Sequence, residues 1–152
     1  MKKKNRTKET TIYTIVFIVY LCVLLYFLFF SDVFGRNVAY SDYRYNLKPF
    51  AEIKRFTTQV KNSSFFVFLI NIVGNVIVFL PFGFLFPRTV GGISGRTPKF
   101  AGTFLAATLF SLLVEVMQLV SRVGVFDVDD IILNVSGAAV GYLLHRIFRK
   151  RG

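Results

Sequence analysis

Apolar residues follow one another along this chain in four long blocks, not in the short alternating patches of a soluble domain. The first three blocks, Thr10–Ser31, Asn62–Pro87 and Phe100–Ser121, contain one charged residue between them, Glu115. The fourth block, Ile131–Phe148, is shorter. Because a helix rises about 1.5 Å per residue, roughly 20 apolar residues cross a bilayer. The pattern therefore predicts four transmembrane helices.

The fold class predicted from these blocks is all-α, a four-helix transmembrane bundle with its N- and C-termini in the cytoplasm. The predicted order is a basic tail (1–9), a first helix (10–31), an extracellular loop (32–64), a core (65–148) whose helices lie at about 65–87, 100–121 and 131–148, and a basic tail (149–152). The basic leader also suits a signal peptide. The first apolar run is longer than a signal-peptide core and lacks a small-x-small cleavage site, which favours an uncleaved span.

The connector at 88–99 is rich in glycine but lacks the Gly-Lys-Ser/Thr end of a phosphate-binding loop, so it is interpreted as flexible. Pro81 and Gly83 predict a kink near the inner end of the second helix. The single Cys22 excludes a disulfide framework, and we expect it to face lipid.

The charge of the chain is explained by membrane orientation. The formal net charge is +11, from 19 Lys and Arg against 8 Asp and Glu, and 54% of the residues are apolar. With a cytoplasmic N-terminus, the inside segments hold twelve basic residues and the outside segments seven. The positive-inside rule accounts for this excess without a nucleic-acid partner.

Three predicted helices carry paired polar residues at helical spacing, where such residues mark sites or helix contacts. The pairs are Asn71 with Asn75, Glu115 with Gln118, and Asp130 with Asn134. Asn71 and Glu115 would lie about 9 Å, and Asn134 about 5 Å, below the outer surface. We therefore predict a polar layer in the outer half of the bundle, covered by Arg122, Asp127 and Asp129 from the outer loop.

Each of these features also has a purely structural interpretation. Asp127 or Asp129 could cap the fourth helix, and the asparagines could join helices. Asp130 is predicted to turn inward, on the face that Gly137 and Gly141 continue. Asp129, rotated about 100° away, is predicted to be the more exposed aspartate.

Glu115 and His145 lead to two further predictions. A carboxylate inside a helix bundle must be protonated or paired, and Arg122, two turns beyond Glu115, is the nearest cation in sequence. His145 lies near the inner end of the fourth helix, and we expect it to reach the membrane interface there.

Four segments in order resemble the VanZ-like family: "NLKPF" (46–50), "NIVGNVIVFLPFG" (71–83), "EVMQ" (115–118) and "RVGVFDVDDIILNVSGAAVGY" (122–142). The resemblance implies a small multi-pass protein of the bacterial cell membrane, in a family whose founding member is linked to low-level teicoplanin resistance. The motif positions carried over are Asn71, Asn75, Glu115, Gln118, Arg122, Asp127, Asp130 and Asn134.

Three functions fit these observations. The first is a cell-envelope accessory or binding protein that meets a lipid headgroup, a lipid-linked wall precursor or a glycopeptide. The second is an intramembrane enzyme acting on a lipid-linked substrate, with Glu115, Asp127 or Asp130 as its acid or base. The third is a polar network that only supports the fold.

No organic cofactor is indicated. One His and one Cys exclude a metal site built from those residues. A divalent cation held by Asp127, Asp129 and Asp130 remains open, and Arg122 is an alternative partner for a phosphate.

Overall fold

The computed structural model describes residues 2–30, 41–51, 54 and 65–150. Its elements are α1 (Lys2–Phe30), β1 (Tyr45–Asn46), α2 (Phe65–Ser94), α3 (Phe100–Ser121), β2 (Phe126–Asp127) and α4 (Val128–Lys150). The four helices are each long and apolar enough to span a membrane. The prediction of a helical protein with four helices long and apolar enough to cross a membrane is therefore confirmed. Most of the predicted loop at 32–64 lies outside the described residues.

Three helices are longer than predicted, and one of them is α4, which runs over Val128–Lys150 and not 131–148. α1 begins at Lys2, eight residues before the apolar block, because the basic leader carries no residue that stops a helix. α2 continues to Ser94 and so includes half of the connector interpreted as flexible. It ends before Gly95, whose φ of 74° is the left-handed conformation that closes many helices.

The four helices alternate in direction, which gives the bundle two distinct ends. We call the end that holds Lys2 and Lys150 the terminal end. There α2 returns to the start of α1, where the Thr89 hydroxyl donates to the carbonyl oxygen of Tyr13 at 3.4 Å. The opposite end holds the α3–α4 connection and the described part of the first loop.

Helices α2 and α4 pack backbone to backbone through glycines. A Cβ atom on Gly137 would overlap the carbonyl oxygen of Val76, and one on Gly141 would overlap that of Leu80. Helices that approach this closely tolerate only hydrogen at the contact positions. The small-xxx-small track predicted on α4 is thus a helix–helix contact.

An aromatic cluster fills the centre of the bundle. Phe79 is fully buried, and the Phe82 ring stacks on Phe86 and Phe110 with centroids 5.4 and 5.3 Å apart. The second helix runs through Pro81, which lacks the backbone donor of a normal turn. Close by, the Tyr20 hydroxyl donates to the carbonyl oxygen of Val78 at 2.8 Å and joins α1 to this turn.

Large apolar side chains also cover the outside of the bundle. Ile18 and Tyr26 on α1, and Leu105, Leu109 and Leu113 on α3, are all more than half exposed. Cys22 is exposed as well, as expected of a lipid-facing residue. Such a surface suits hydrocarbon around the helices.

The two short strands were not predicted. β1 pairs with β2 in parallel, with Tyr45 opposite Phe126 and Asn46 opposite Asp127. The pair fixes the first loop onto the residues that lead into α4. A strand of two residues carries no hydrophobic periodicity, which is why the all-α prediction missed it.

Candidate functional site

Asp127 is the N-cap residue of α4 and also binds the first loop. Its Oδ1 accepts the backbone N–H of Asp129 at 2.8 Å, the hydrogen bond of a helix N-cap. The Asn46 side-chain amide donates to both carboxylate oxygens of Asp127, at 3.2 and 3.1 Å. The predicted cap is therefore present, and the same carboxylate also accepts bonds from Asn46, which lies 81 residues from Asp127 in the sequence.

Glu115 is buried, with 2% of its surface exposed. Its Oε2 accepts the backbone N–H of Asp127 at 3.0 Å. Glu115 was predicted to need a partner inside the bundle, and that partner is the backbone of Asp127, the N-cap residue of α4. This bond connects α3 to the start of α4.

Asp129 corrects one of the predictions. It was predicted to be the more exposed aspartate, but it is 2% exposed, whereas Asp130 is half-buried. Its carboxylate accepts the backbone N–H of Phe50, which adopts a φ of 61°. The prediction was wrong because the first loop folds over the start of α4. Rotation around a single helix cannot show that contact.

Asp130 and Asn75 form the half-buried edge of this group. The Asn75 side-chain amide donates to Oδ1 of Asp130 at 2.6 Å and joins α2 to α4. Both residues keep part of their surface exposed. Asp130 thus contacts another helix, as predicted from its position on the glycine face. Asn71 lies in α2, but its side chain is outside the described part of the structure.

Asn134 is buried one turn further along α4. Its side-chain amide donates to the Ser111 hydroxyl of α3 at 3.0 Å. Ser111 is fully buried and was missed in the sequence. Its position one turn before Glu115, on the same helix face, was the signal that could have identified it.

Gln118 and Arg122 bind the backbone of other segments. The buried Gln118 side chain donates to the carbonyl oxygen of Leu28 at 3.1 Å and satisfies an acceptor at the end of α1. Arg122 is exposed and ends α3 in the left-handed conformation, with φ 58°. Its guanidinium lies 4.7 Å from the Tyr43 ring centroid and donates to the carbonyl oxygen of Ser41 at 3.4 Å.

The described contacts of Arg122 therefore join it to the first loop and not to Glu115. The prediction that Glu115, Arg122 and Asp127 meet holds for the two acidic residues. For Arg122 the described contacts are with Ser41 and Tyr43, beyond the left-handed turn that ends α3.

We name the residues joined at this end of the bundle the amide–carboxylate network. Its members are Asn46, Asn75, Glu115, Asp127, Asp129 and Asp130, contributed by the first loop and by three helices. Backbone and side-chain N–H groups donate to every carboxylate in it. Hydrogen bonds to ionised groups are stronger than those between neutral groups, so these bonds help to hold the acidic side chains inside the bundle.

The divalent cation of the sequence analysis stays a prediction. Within the described residues, no group of three His, Cys, Asp or Glu side chains is arranged to hold a metal ion. The aspartates at the start of α4 instead bind Asn46, the Phe50 backbone and Asn75.

His145 lies at the terminal end, far along α4 from the network. Its side chain is 3% exposed and packs beside Tyr142 with ring centroids 5.9 Å apart, so it does not extend outward from the bundle as snorkelling would require, and its level relative to the membrane stays a prediction. It lines a cavity at this end.

Four spanning helices with a buried polar network at one end define a multi-pass helical membrane protein. The family model described as VanZ/LLP1 matches residues 17–149, and the chain belongs to that family. It is similar to Protein VanZ of Enterococcus faecium, with 35% identity over 78 residues. That match covers 51% of this chain and 45% of the relative, so it spans less than half of the relative's length. No solved structure matches the chain.

Proposed function

We propose that this protein is an accessory of the bacterial cell envelope that binds the polar head of a lipid-linked envelope molecule. In this proposal both termini are cytoplasmic and the amide–carboxylate network faces outward. Binding there lowers susceptibility to glycopeptides of the teicoplanin type. The charge distribution supports the orientation, since the segments on the side of the termini carry more Lys and Arg.

The observation that carries the proposal is the network itself. Polar and acidic groups within membrane helices cost free energy, so they are rare outside functional sites. Here the first loop and three helices all bring such groups to one end of an otherwise apolar bundle. A protein that only had to cross the membrane would not need this set.

The Asn75–Asp130 pair is the part of the network that supports contact with a ligand. Both side chains are half-buried, whereas Glu115, Asp127 and Asp129 are buried. The pair offers one amide and one carboxylate, which suit the hydroxyl and amide groups of a sugar or peptide head. Arg122 is exposed beside the first loop, where it can bind a phosphate.

The similarity to Protein VanZ supports the proposed role in the cell envelope. The chain belongs to the VanZ/LLP1 family and is similar to that protein. The resemblance to the VanZ-like family implies a link to teicoplanin resistance. The match covers less than half of that relative, so the resistance role is part of the proposal.

Catalysis by acid and base carboxylates is the alternative. Two of the three candidate carboxylates, Glu115 and Asp127, already accept backbone N–H groups and support the fold. That leaves Asp130 as the candidate with exposed surface. Binding fits this distribution better than catalysis by a pair of acid and base carboxylates, because only one of the three has exposed surface.

The test is teicoplanin susceptibility in a sensitive bacterium that expresses the full chain. Asp130→Asn keeps the oxygen that accepts from Asn75 but removes the charge. Ser136→Ala is the matched control, since Ser136 is an exposed polar residue of α4 whose described hydrogen bond stays within its own helix, to Ile132. We expect Asp130→Asn to remove the protection at unchanged membrane abundance, and Ser136→Ala to keep it.

Equal protection by both variants would show that the network is not the binding site. The enzyme alternative predicts in addition a lipid-linked species whose mass changes when the wild-type chain is expressed. An unchanged lipid profile together with loss of protection in Asp130→Asn would favour binding.

A further inference from the structure

A cavity of about 260 Å³ lies at the terminal end, between the start of α1 and the ends of α2 and α4. The lining residues that bear on its chemistry are Glu9, Thr10, Arg88, Thr97, His145 and Arg149. The amide–carboxylate network contributes none of them. With about 22 residues between Asp127 and Arg149, the two sites lie about 33 Å apart along α4, roughly the thickness of a bilayer core.

His145 is the first sign that this cavity receives a ligand. Its side chain is buried, with 3% of its surface exposed, and its Nδ1 has no hydrogen-bond partner within the described part of the chain. Leaving a buried polar atom without a partner costs about 1–3 kcal/mol. A structure that retains such an atom beside a cavity is suited to a polar group that enters there.

Arg88 is the second indication that the cavity receives a ligand. Two aromatic rings hold its guanidinium in place, and the described hydrogen bonds use few of its N–H donors. It lies 3.9 Å from the Phe84 ring centroid and 5.3 Å from that of Tyr13. Of its N–H groups, the described hydrogen bonds use one, to the carbonyl oxygen of Phe84 at 3.4 Å. A preorganised planar donor of this kind matches the oxygens of a phosphate.

The charge of the lining is complementary to a phosphate joined to a polar alcohol. Arg88 and Arg149 bring two positive charges, and Glu9 brings one carboxylate. The carboxylate suits a hydroxyl or ammonium group next to the phosphate, while Thr10 and Thr97 add hydroxyls. A second cavity of about 270 Å³ shares His145 and Arg149 and adds Arg146, so the positive lining extends further.

We propose that this cavity binds a phosphate-bearing group, with Arg88 and Arg149 on the phosphate and Glu9 on the attached alcohol. The group belongs either to the head of an anionic phospholipid or to a soluble phosphate compound. The level of the cavity, at the ends of the spanning stretches that finish at Ser94 and Arg149, favours the lipid. This inference is independent of the network at the other end.

The test uses the purified full chain in nanodiscs of phosphatidylcholine, with phosphatidylglycerol or inorganic phosphate as the probe. Bound phospholipid is counted by native mass spectrometry, and the unfolding temperature is followed with each probe. The variants are Arg88→Gln and Arg149→Gln. Arg96→Gln is the matched control, because Arg96 is an exposed arginine near the same end that lines neither cavity.

We expect phosphatidylglycerol to bind and to raise the unfolding temperature. Binding should weaken about tenfold or more in either cavity variant, as expected for one lost charge-assisted hydrogen bond. Arg96→Gln should bind as the wild type does. Arg149→Gln keeps the test informative if Arg88→Gln fails to fold, since Arg149 is exposed at the end of its helix.

The two probes separate the two sources of phosphate. Stabilisation by phosphatidylglycerol alone assigns a lipid, and stabilisation by inorganic phosphate as well assigns the phosphate group itself. The proposal is overturned if neither probe binds. It is also overturned if all three arginine variants weaken binding equally, which would indicate a diffuse charge effect.

Discussion

Glu115 accepts the backbone N–H of Asp127 at 3.0 Å across the reversal between α3 and α4. The same Asp127 caps α4 and receives the amide of Asn46. One buried carboxylate therefore fixes Asp127, which in turn binds Asn46 of the first loop and the Asp129 backbone. Changes at Glu115 should act on the fold before they act on any ligand.

Glu115→Gln should preserve the bundle, whereas Glu115→Lys should not. Glutamine keeps an oxygen that can accept from the Asp127 backbone, but lysine offers only donors to a site that needs an acceptor. We expect the lysine variant to lose about 3 kcal/mol or more of stability, as for an uncompensated buried charge. Membrane abundance and thermal unfolding in detergent measure the difference. Similar losses in both variants would contradict the role of the hydrogen bond.

Ser111 and Asn134 should be energetically coupled. Their bond of 3.0 Å is buried between α3 and α4, so removing one partner leaves the other without its described bond. We expect Ser111→Ala and Asn134→Leu together to cost less than the sum of the single changes. The coupling should be about 0.6–1.7 kcal/mol, the range of hydrogen bonds between membrane helices. A double-mutant cycle of unfolding free energies measures it, and strictly additive effects would contradict it.

Gly137→Ala and Gly141→Ala should each destabilise the bundle. The added methyl groups would meet backbone oxygens of α2, which cannot move aside as a flexible side chain can. Overpacking of this kind costs about 1–3 kcal/mol. Gly74→Ala is the control, since no described atom lies within 4 Å of the place its methyl group would take and alanine favours helix. The experiment compares unfolding temperatures, and a loss in Gly74→Ala as large as at Gly137 would argue against the contact.

Asp129→Ala should release the first loop from the start of α4. The carboxylate accepts the Phe50 N–H, so its removal exposes that amide to solvent. Hydrogen exchange at Phe50 should accelerate by about 10–100-fold, corresponding to about 1.5–3 kcal/mol. Asp42→Ala is the control, because Asp42 is exposed and accepts from the neighbouring Ser41. Unchanged hydrogen exchange at Phe50 in the Asp129→Ala variant would show that Asp129 does not hold the first loop.

Thiol labelling of intact cells tests the proposed orientation. In a Cys22→Ser background, cysteine at Val125 should react with an impermeant reagent, and cysteine at Ile93 should not. Both positions are exposed, 37% and 68%, and they lie at opposite ends of the bundle. The positive-inside rule sets the direction. The reverse labelling pattern would place the network in the cytoplasm and remove the basis of the envelope proposal.

The sequence predicted the helices well because the signal for a span is long. Blocks of about 20 apolar residues leave few alternatives, and the glycine track on α4 follows from spacing along one helix. The end of α2 was missed because glycine is a poor helix former in water. In the structure Gly91 is buried against Thr97, and packing offsets its low propensity.

The site was predictable only where its residues share a helix. The inward turn of Asp130 and the cap at Asp127 follow from helix geometry. The burial of Asp129 and the part played by Asn46 depend on a loop about 80 residues away, which no local pattern contains. The burial of His145 likewise depends on how α1, α2 and α4 meet at the terminal end.

The parallel pairing of β1 with β2 also bears on how the protein is made. Two parallel strands need a crossover between them, and here the crossover consists of α2 and α3. During synthesis, Asn46 leaves the ribosome two spans before Asp127 exists. The first loop must therefore wait, undocked, until both intervening helices are inserted and the start of α4 emerges. Closure of the network is thus a late step of folding, and a chain truncated before Phe126 would lack the residues that bind Asn46 and Phe50.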